Sequence, residues 1–264
     1  MNFGDRIRDA AGPIGMALLF FVFWELVCRM FQIPNFILPP PSETILEIFK
    51  EWKVIWPNAQ QTLFTTMVGF VTSVVFGLLL GALVGISPEL YRCLSPLLIA
   101  FNSVPKVAVV PVLVLWYGIG TVPAVLTAFL ISFFPIVVNV AAGIAMMEPE
   151  LADVLRSLGA SRLEILIKVG IPRSLPYFFA SLKVAITLAF VGSVISETVA
   201  ANDGIGYLMM AASSSFRIPL VFAALLVVAI MGVAMYAIAA WTEKWFTHWA
   251  VRDEGANATY ATGG

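Results

Sequence analysis

The sequence predicts an all-α polytopic membrane protein with six transmembrane helices and a polar cytoplasmic helix-turn-helix between the fourth and fifth. Three observations predict it. The 264 residues are 60% hydrophobic and only 12% charged, whereas a soluble surface needs about a quarter charged residues. Six apolar stretches reach the roughly 20 residues that a helix needs to cross a bilayer. Between the fourth and fifth of these the chain turns abruptly polar, from Asp153 to Pro172.

The apolar stretches run Gly12 to Phe31, Leu63 to Ile86, Leu94 to Tyr117, Val122 to Ala145, Leu175 to Val199 and Leu220 to Trp241. An even number of crossings puts both termini on one side. The first stretch follows Arg6 and Arg8, but no small-residue cleavage pattern follows it and Leu26, Val27 and Cys28 make a poor lipoprotein signal, so it reads as an uncleaved anchor. With the N-terminus inside, the inner loops hold Arg6, Arg8, Arg92, Arg156, Arg162, Lys168, Arg173, Lys244 and Arg252, against Arg29, Lys50, Lys53 and Arg217 outside. This asymmetry puts both ends in the cytoplasm. Trp52, Trp56, Trp116, Trp241 and Trp245 fall near the expected membrane edges, where an amphipathic ring is best placed. The organisation is then a cytoplasmic N-terminus over 1–11, a six-helix membrane domain over 12–249 with its cytoplasmic loop at 148–173, and a flexible cytoplasmic tail over 250–264, where the apolar period is lost.

Between the first two spans, the prolines from Pro34 to Pro41 impose an extended run, and Ser42 is placed to cap a short amphipathic helix carrying Ile45, Leu46, Ile48 and Phe49. That helix reads as lying on the outer surface, a stiff spacer more than a ligand site. Cys28 and Cys93 have no metal-ligand or redox spacing and read as packing residues. The net charge of −1 and the lone His248 leave neither a basic stripe for nucleic acid nor a histidine cluster for metal.

The polar loop carries strong local signals. Leu151, Val154, Leu155 and Leu158 recur at helical spacing, Pro149 suits a first turn, and Glu150 and Asp153 sit at the positive N-terminal end. Gly159 can take the left-handed conformation that stops this helix. Ser161 and Glu164 then form a capping box, and Glu164 with Lys168 an i, i+4 pair, so that a second helix starts at once and ends before Pro172. The corner of Gly159, Ala160 and Ser161, flanked by Arg156 and Arg162, is small enough to enter a cleft on another protein. The alternative is a surface loop that only links two spans.

The same run resembles the EAA motif of ABC importer permeases. Gly159, Val169, Ile171 and Pro172 fall at the matching positions, while Asp153, Val154 and Leu155 occupy the triplet without its two alanines. FILPPPSETI, SVPKVAVVPVLVLWYGIG and GIGYLMMAA are similar to the nitrate, sulfonate and taurine permeases. The resemblance implies a homodimer of six-span subunits in the inner membrane, two ATPase subunits docked on the EAA corner, and a periplasmic or tethered substrate-binding protein. The coupling residues it implies are Asp153, Arg156, Gly159, Ala160, Ser161, Arg162, Glu164 and Pro172. This chain contains no G-x-x-x-x-G-K-[ST] loop. ATP and Mg are accordingly expected on the partner ATPase, with no cofactor and no metal on this chain and no enzymatic activity of its own.

Polar atoms that survive in apolar spans mark the expected translocation path. Pro105 and Pro111 remove two backbone donors from the third span, beside Asn102, Ser103 and Lys106. Counting about 1.5 Å per residue from Leu94 puts Lys106 near the midplane, where a charge costs about 3 kcal/mol on insertion scales and faces a cavity or a partner. Lys106 is therefore a path residue or half of a structural ion pair. The fifth span adds Lys183 and Glu197 to the expected path; Lys183 and Glu25, the other deep charges, can instead pair with each other, Glu197 reads as an outer-edge carboxylate, and Gly204 and Gly206 turn either a short outer element over the path or an ordinary loop.

The expected function is thus the permease subunit of an ATP-driven importer for a small solute, an anion such as nitrate, a sulfonate or taurine, or a related organic compound. An ion-coupled secondary transporter would instead use Glu25, Lys106 or Lys183, and no inverted repeat supports it. An intramembrane enzyme needs a facing nucleophile and base or metal ligands, which the sequence does not display.

Overall fold

The computed structural model describes residues 3–86, 88–145, 154–155, 157–161, 164, 168 and 171–247. Among these every regular element is a helix. In order come α1 (Phe3–Met30), α2 (Pro41–Lys50), α3 (Trp52–Ile86), α4 (Pro88–Ser103), a 3-10 turn (Lys106–Val109), α5 (Val110–Tyr117), α6 (Thr121–Ala145), α7 (Ile171–Ala200), α8 (Ile205–Ser214) and α9 (Ile218–Thr247). Four stretches of the described residues are long and apolar enough to cross a membrane: Trp52–Gly85, Thr121–Ile144, Leu175–Ser214 and Ile218–Thr247.

Three features differ from the sequence expectation. The first helix begins at Phe3, well before Gly12. The third expected span, Leu94 to Tyr117, is not one helix: α4 stops at Ser103 and the chain re-forms as a 3-10 turn and α5. Pro105 disfavours helical backbone at Val104 and supplies no N–H, and Pro111 is suited to the opening turn of a new helix. The break removes the ruler by which 1.5 Å per residue sets the depth of Lys106. In α2 the N-cap is Pro40, with no side-chain cap; the Ser42 hydroxyl and amide instead donate to Glu25 on α1, at 2.8 and 3.0 Å.

The core is three helices deep, with α6 between α3 and α7. Residues Gly69, Ser73, Gly77, Gly81 and Gly85 recur every fourth position of α3 and form a stripe without bulky side chains. A β carbon at Gly69 would lie 2.6 Å from the Ala128 Cβ, at Gly77 2.8 Å from Ile136 Cγ2, at Gly81 2.8 Å from Val140 Cβ and at Gly85 2.9 Å from Ile144 Cβ. Ser73, in the same stripe, donates to the Phe129 carbonyl at 2.9 Å and shares a 2.7 Å bond with Ser132. Where lipid is as apolar as the helices, close backbone approach supplies the dispersion contacts that hold them together. On the far side of α6, Gly192 of α7 presses on Ala128 and the Thr127 carbonyl.

Outside this triad, Ile55 and Ala59 of α3 join Ile205, Leu208 and Ala212 of α8 and Leu220, Ala223 and Ala224 of α9 in a second buried cluster. Helix α1 is peripheral. Leu18, Leu19, Phe20 and Phe23 are exposed, as a lipid-facing helix requires, and Trp24 meets Phe222 of α9.

Candidate functional site

Local chemistry builds the polar turn. Gly159 has φ +87, in the region that glycine enters most easily. The amide of Ala160 donates back to the Leu155 carbonyl at 3.0 Å, the longer of the two bonds of a Schellman motif. The capping box forms in both directions: the Glu164 amide donates to the Ser161 hydroxyl at 3.2 Å, and the Ser161 amide donates to the Glu164 carboxylate at 2.9 Å. The Ser161 hydroxyl also donates to that carboxylate, at 2.8 Å, and Lys168 stands 4.0 Å away. The Ser161 amide, followed by its hydroxyl and the Lys168 charge, holds the Glu164 carboxyl below its usual value of 4.5. Gly159, Ser161 and Glu164 are exposed and Ala160 is half-buried. Among the described residues, nothing lies within 4 Å of where a Gly159 β carbon would stand. Pro172 is the second residue of α7, so α7 starts ahead of this proline rather than beyond it. Asp153, Arg156 and Arg162 lie outside the described residues.

The second group surrounds the break after α4. Asn102 is in the last turn of α4, Ser103 ends it and is exposed, and Lys106 opens the 3-10 turn. The Lys106 ammonium stands over the Phe134 ring of α6, 5.4 Å from its centroid, within cation–π range. Val104, Val107 and Phe101 beside it are exposed in the single chain.

The other deep charges do not meet as the sequence suggested. Glu25 and Lys183 are not partners: Glu25 accepts from Arg29 at 2.7 Å, and Lys183 of α7 pairs with Glu243 of α9 at 2.6 Å. One turn from that second pair, Phe179 and Phe246 stack at 5.2 Å between the same helices. Arg29 and Glu243 were closer candidates because each places an opposite charge beside its partner, by an i, i+4 step in one case and by packing of α7 on α9 in the other.

Glu197 is three residues from the end of α7 and turned into the bundle. Its residue is 2% exposed. It accepts hydrogen bonds from the Thr62 hydroxyl at 2.7 Å, the Thr65 hydroxyl at 3.1 Å, the Ser193 hydroxyl at 3.4 Å and the Gly206 amide at 3.2 Å. Thr65 and Ser193 also bond each other closely. Thr62, Thr65 and Ser193 did not stand out in the sequence. A faint signal existed, since Thr62, Thr65, Thr66 and Gly69 place small or hydroxylated residues along one face of an otherwise apolar helix.

Residues 73–248 match the family model for the binding-protein-dependent transport system inner membrane component. The chain belongs to this family. A riboflavin transport system permease protein of Chloroflexus aurantiacus is 32% identical over 90% of this chain and 89% of its own length. A probable ABC transporter permease of Haemophilus influenzae is 29% identical, over 87% and 94%. The taurine transport system permease protein of Escherichia coli is 27% identical, over 85% and 84%. The fold is similar to an inward-facing conformation of the MetNI methionine ABC transporter, with a TM-score of 0.65 at 20% identity, covering 75% of this chain and 98% of that one. Residues 47–84 also match the model for SecE/Sec61-gamma subunits of the protein translocation complex; that stretch holds only the end of α2 and most of α3. As a member of the inner-membrane component family, the chain is a multi-pass permease subunit of an ABC importer.

Proposed function

We propose that two copies of this chain form the translocation path of the importer, each crossing the membrane six times with both termini in the cytoplasm. Helices α1, α3, α6, α7 and α9 and the broken pair α4–α5 supply the crossings. The match over residues 73–248, from α3 to the end of α9, carries this reading. The membrane domain then occupies 12–249, with the coupling loop at 148–173 and a cytoplasmic tail at 250–264.

The corner formed by Asp153, Arg156, Gly159, Ala160, Ser161, Arg162, Glu164 and Pro172 receives a cytoplasmic ATPase subunit, which binds and hydrolyses ATP with Mg. The exposure of Gly159, Ser161 and Glu164, and the space left around Gly159 by the described residues, support this role. The loop leads into α7 at Ile171, so a push on the corner enters a helix of 30 residues. Asn102, Ser103 and Lys106 line the path. Irregular backbone at membrane depth is tolerated only against protein or water, and the break at Val104 is exposed in the single chain. A cation there suits a small anionic solute delivered by a substrate-binding protein. Relatives named for taurine, aliphatic sulfonates and nitrate favour the same class.

The test compares Gly159→Ala with Gly159→Trp in the assembled importer. Both substitutions meet the same backbone strain at φ +87, about 1–2 kcal/mol, and among the described residues the β carbon they share meets no neighbour within 4 Å. The Trp variant is expected to lose ATPase co-purification and uptake while the Ala variant keeps most of both. Uptake in the Trp variant equal to that in the Ala variant rejects the docking role.

A further inference from the structure

Helix α8 begins without a cap of its own. Its N-cap position is Gly204, which has φ +102 and no side chain to offer. The first N–H groups of a helix have no partner within it, and three of them here are taken by other helices. The Gly204 amide donates to Asn58 Oδ1 of α3 at 2.9 Å, the Ile205 amide to Thr62 Oγ1 of α3 at 2.8 Å, and the Gly206 amide to Glu197 Oε2 of α7 at 3.2 Å. Thr62 joins the two sources by donating to Glu197.

The approach is close as well as polar. A β carbon at Gly206 would lie 2.8 Å from the Glu197 Cβ and 3.0 Å from the Thr198 amide nitrogen, and one at Gly204 would overlap the Glu197 carboxylate. The C-terminal end of α8 is tied elsewhere. The Arg217 amide donates to the Ala212 carbonyl at 2.8 Å, and its guanidinium pairs with Glu51 at 2.5 Å and Glu47 at 3.7 Å. Helix α8 is therefore held at its start by α3 and α7, and at its end by the segment around α2.

We propose that Glu197 is a positioning residue for transport, a latch that makes the start of α8 travel with α7 and so carries movement from the cytoplasmic corner to the outer face. This rests on the orientation and coupling proposed above. Glu197 lies 26 residues beyond Ile171, about 39 Å along a helix that rises 1.5 Å per residue. Asn58 and Thr62 make α3 the other jaw of the latch. Because the carboxylate only accepts, one side chain can collect hydroxyls from α3 and an amide from α8 at once.

The assembled importer, with its ATPase and binding protein in lipid nanodiscs and with Cys28→Ala and Cys93→Ala, tests this. Met210, on the exposed face of α8, is replaced by Cys and labelled with a membrane-impermeant maleimide, nucleotide-free and after trapping with ATP and vanadate. The expected result is a severalfold difference in labelling rate between the two states, abolished by Glu197→Ala and largely restored by Glu197→Gln, which keeps one acceptor oxygen. Thr62→Val, a milder break of the same latch, is expected to reduce the difference, and it decides the matter if Glu197→Ala yields no folded complex. A merely structural role would lower the amount of complex but leave the nucleotide dependence intact in what remains. Full nucleotide dependence in Glu197→Ala or Thr62→Val overturns the proposal, as does the absence of any dependence with Glu197 present. In sealed vesicles, labelling of Met210→Cys from the cytoplasmic side alone rejects the orientation, and the nucleotide comparison still decides the latch. Loss of the ATPase from the importer with Glu197 intact rejects the coupling reading instead.

Discussion

The turn at Gly159 to Glu164 and the start of α8 at Gly204 to Gly206 meet the same requirement, partners for the first N–H groups of a helix, by different means. In the turn, Ser161 and Glu164 serve each other across three residues in open solvent. At α8, Asn58 and Thr62 reach the amides from a helix far away in sequence and Glu197 from the helix just before, and the carboxylate is almost wholly buried. The local cap can form in the turn alone and leaves its outer surface free for another protein. The tertiary cap exists only when α3, α7 and α8 are already packed, so it reports and enforces their arrangement. An exposed, self-sufficient corner suits a surface that docks a partner. A buried, shared one suits a joint between helices.

The comparison breaks first at the joint. Glu197→Ala leaves the Gly206 amide without its acceptor inside the bundle, where an unsatisfied group costs about 1–3 kcal/mol, and opens a cavity where the buried side chain stood, while the Thr62 and Thr65 hydroxyls fall back on backbone carbonyls of α3. The thermal midpoint of the purified protein in detergent is expected to fall by more than in any substitution at the turn. Gly206→Ala follows, at about 1–3 kcal/mol from overpacking, because its new methyl group meets backbone atoms of α7 that have nowhere to move. Equal midpoints for Gly206→Ala and the unaltered protein would show that α8 is not tightly seated.

At the turn, Ser161→Ala removes one local cap worth about 1 kcal/mol. Its expected signature is faster hydrogen exchange confined to amides near Glu164, with the thermal midpoint of the bundle unchanged; a bundle-wide loss of protection would mean that the corner is not self-contained. The smallest effect is on acidity. The Glu164 carboxyl is held below 4.5 in the folded turn, so the turn binds its proton more weakly than the unfolded chain does. Its contribution is complete above that pH and fades as the pH falls through the lowered value. Amide exchange near Ser161 is therefore expected to gain extra protection loss on acidification below pH 4.5, and Glu164→Gln should remove that dependence.

The capping box, the left-handed Gly159 and the Glu164–Lys168 pair were legible because their partners lie within four residues of one another. Helices α3, α6, α7 and α9 were legible for a related reason, since a long apolar run must satisfy its backbone within itself when water is absent. The third stretch misled because hydropathy does not register the turn that Pro105 imposes between two apolar halves. Ser42 misled in another way: its position suited a cap, but α2 already starts at Pro41, and the Ser42 amide and hydroxyl donate to Glu25, 17 residues earlier. The path candidates Asn102, Ser103 and Lys106 do share the break, whereas Lys183 and Glu197 belong to two separate contacts between helices.

By itself the sequence determined the class of the protein, four of its long apolar helices, the capped polar turn and, through its motifs, the transporter family. These depend on composition and on spacings shorter than a few helical turns. The tertiary structure decided which polar side chain serves which helix. Asn58 and Gly204 are 146 residues apart, Thr62 and Ile205 143, and Thr62 and Glu197 135. No periodicity in one helix records its neighbour. Only the glycine stripe that draws α3 onto α6, with α7 packed behind, brings those acceptors to the uncapped amides of α8.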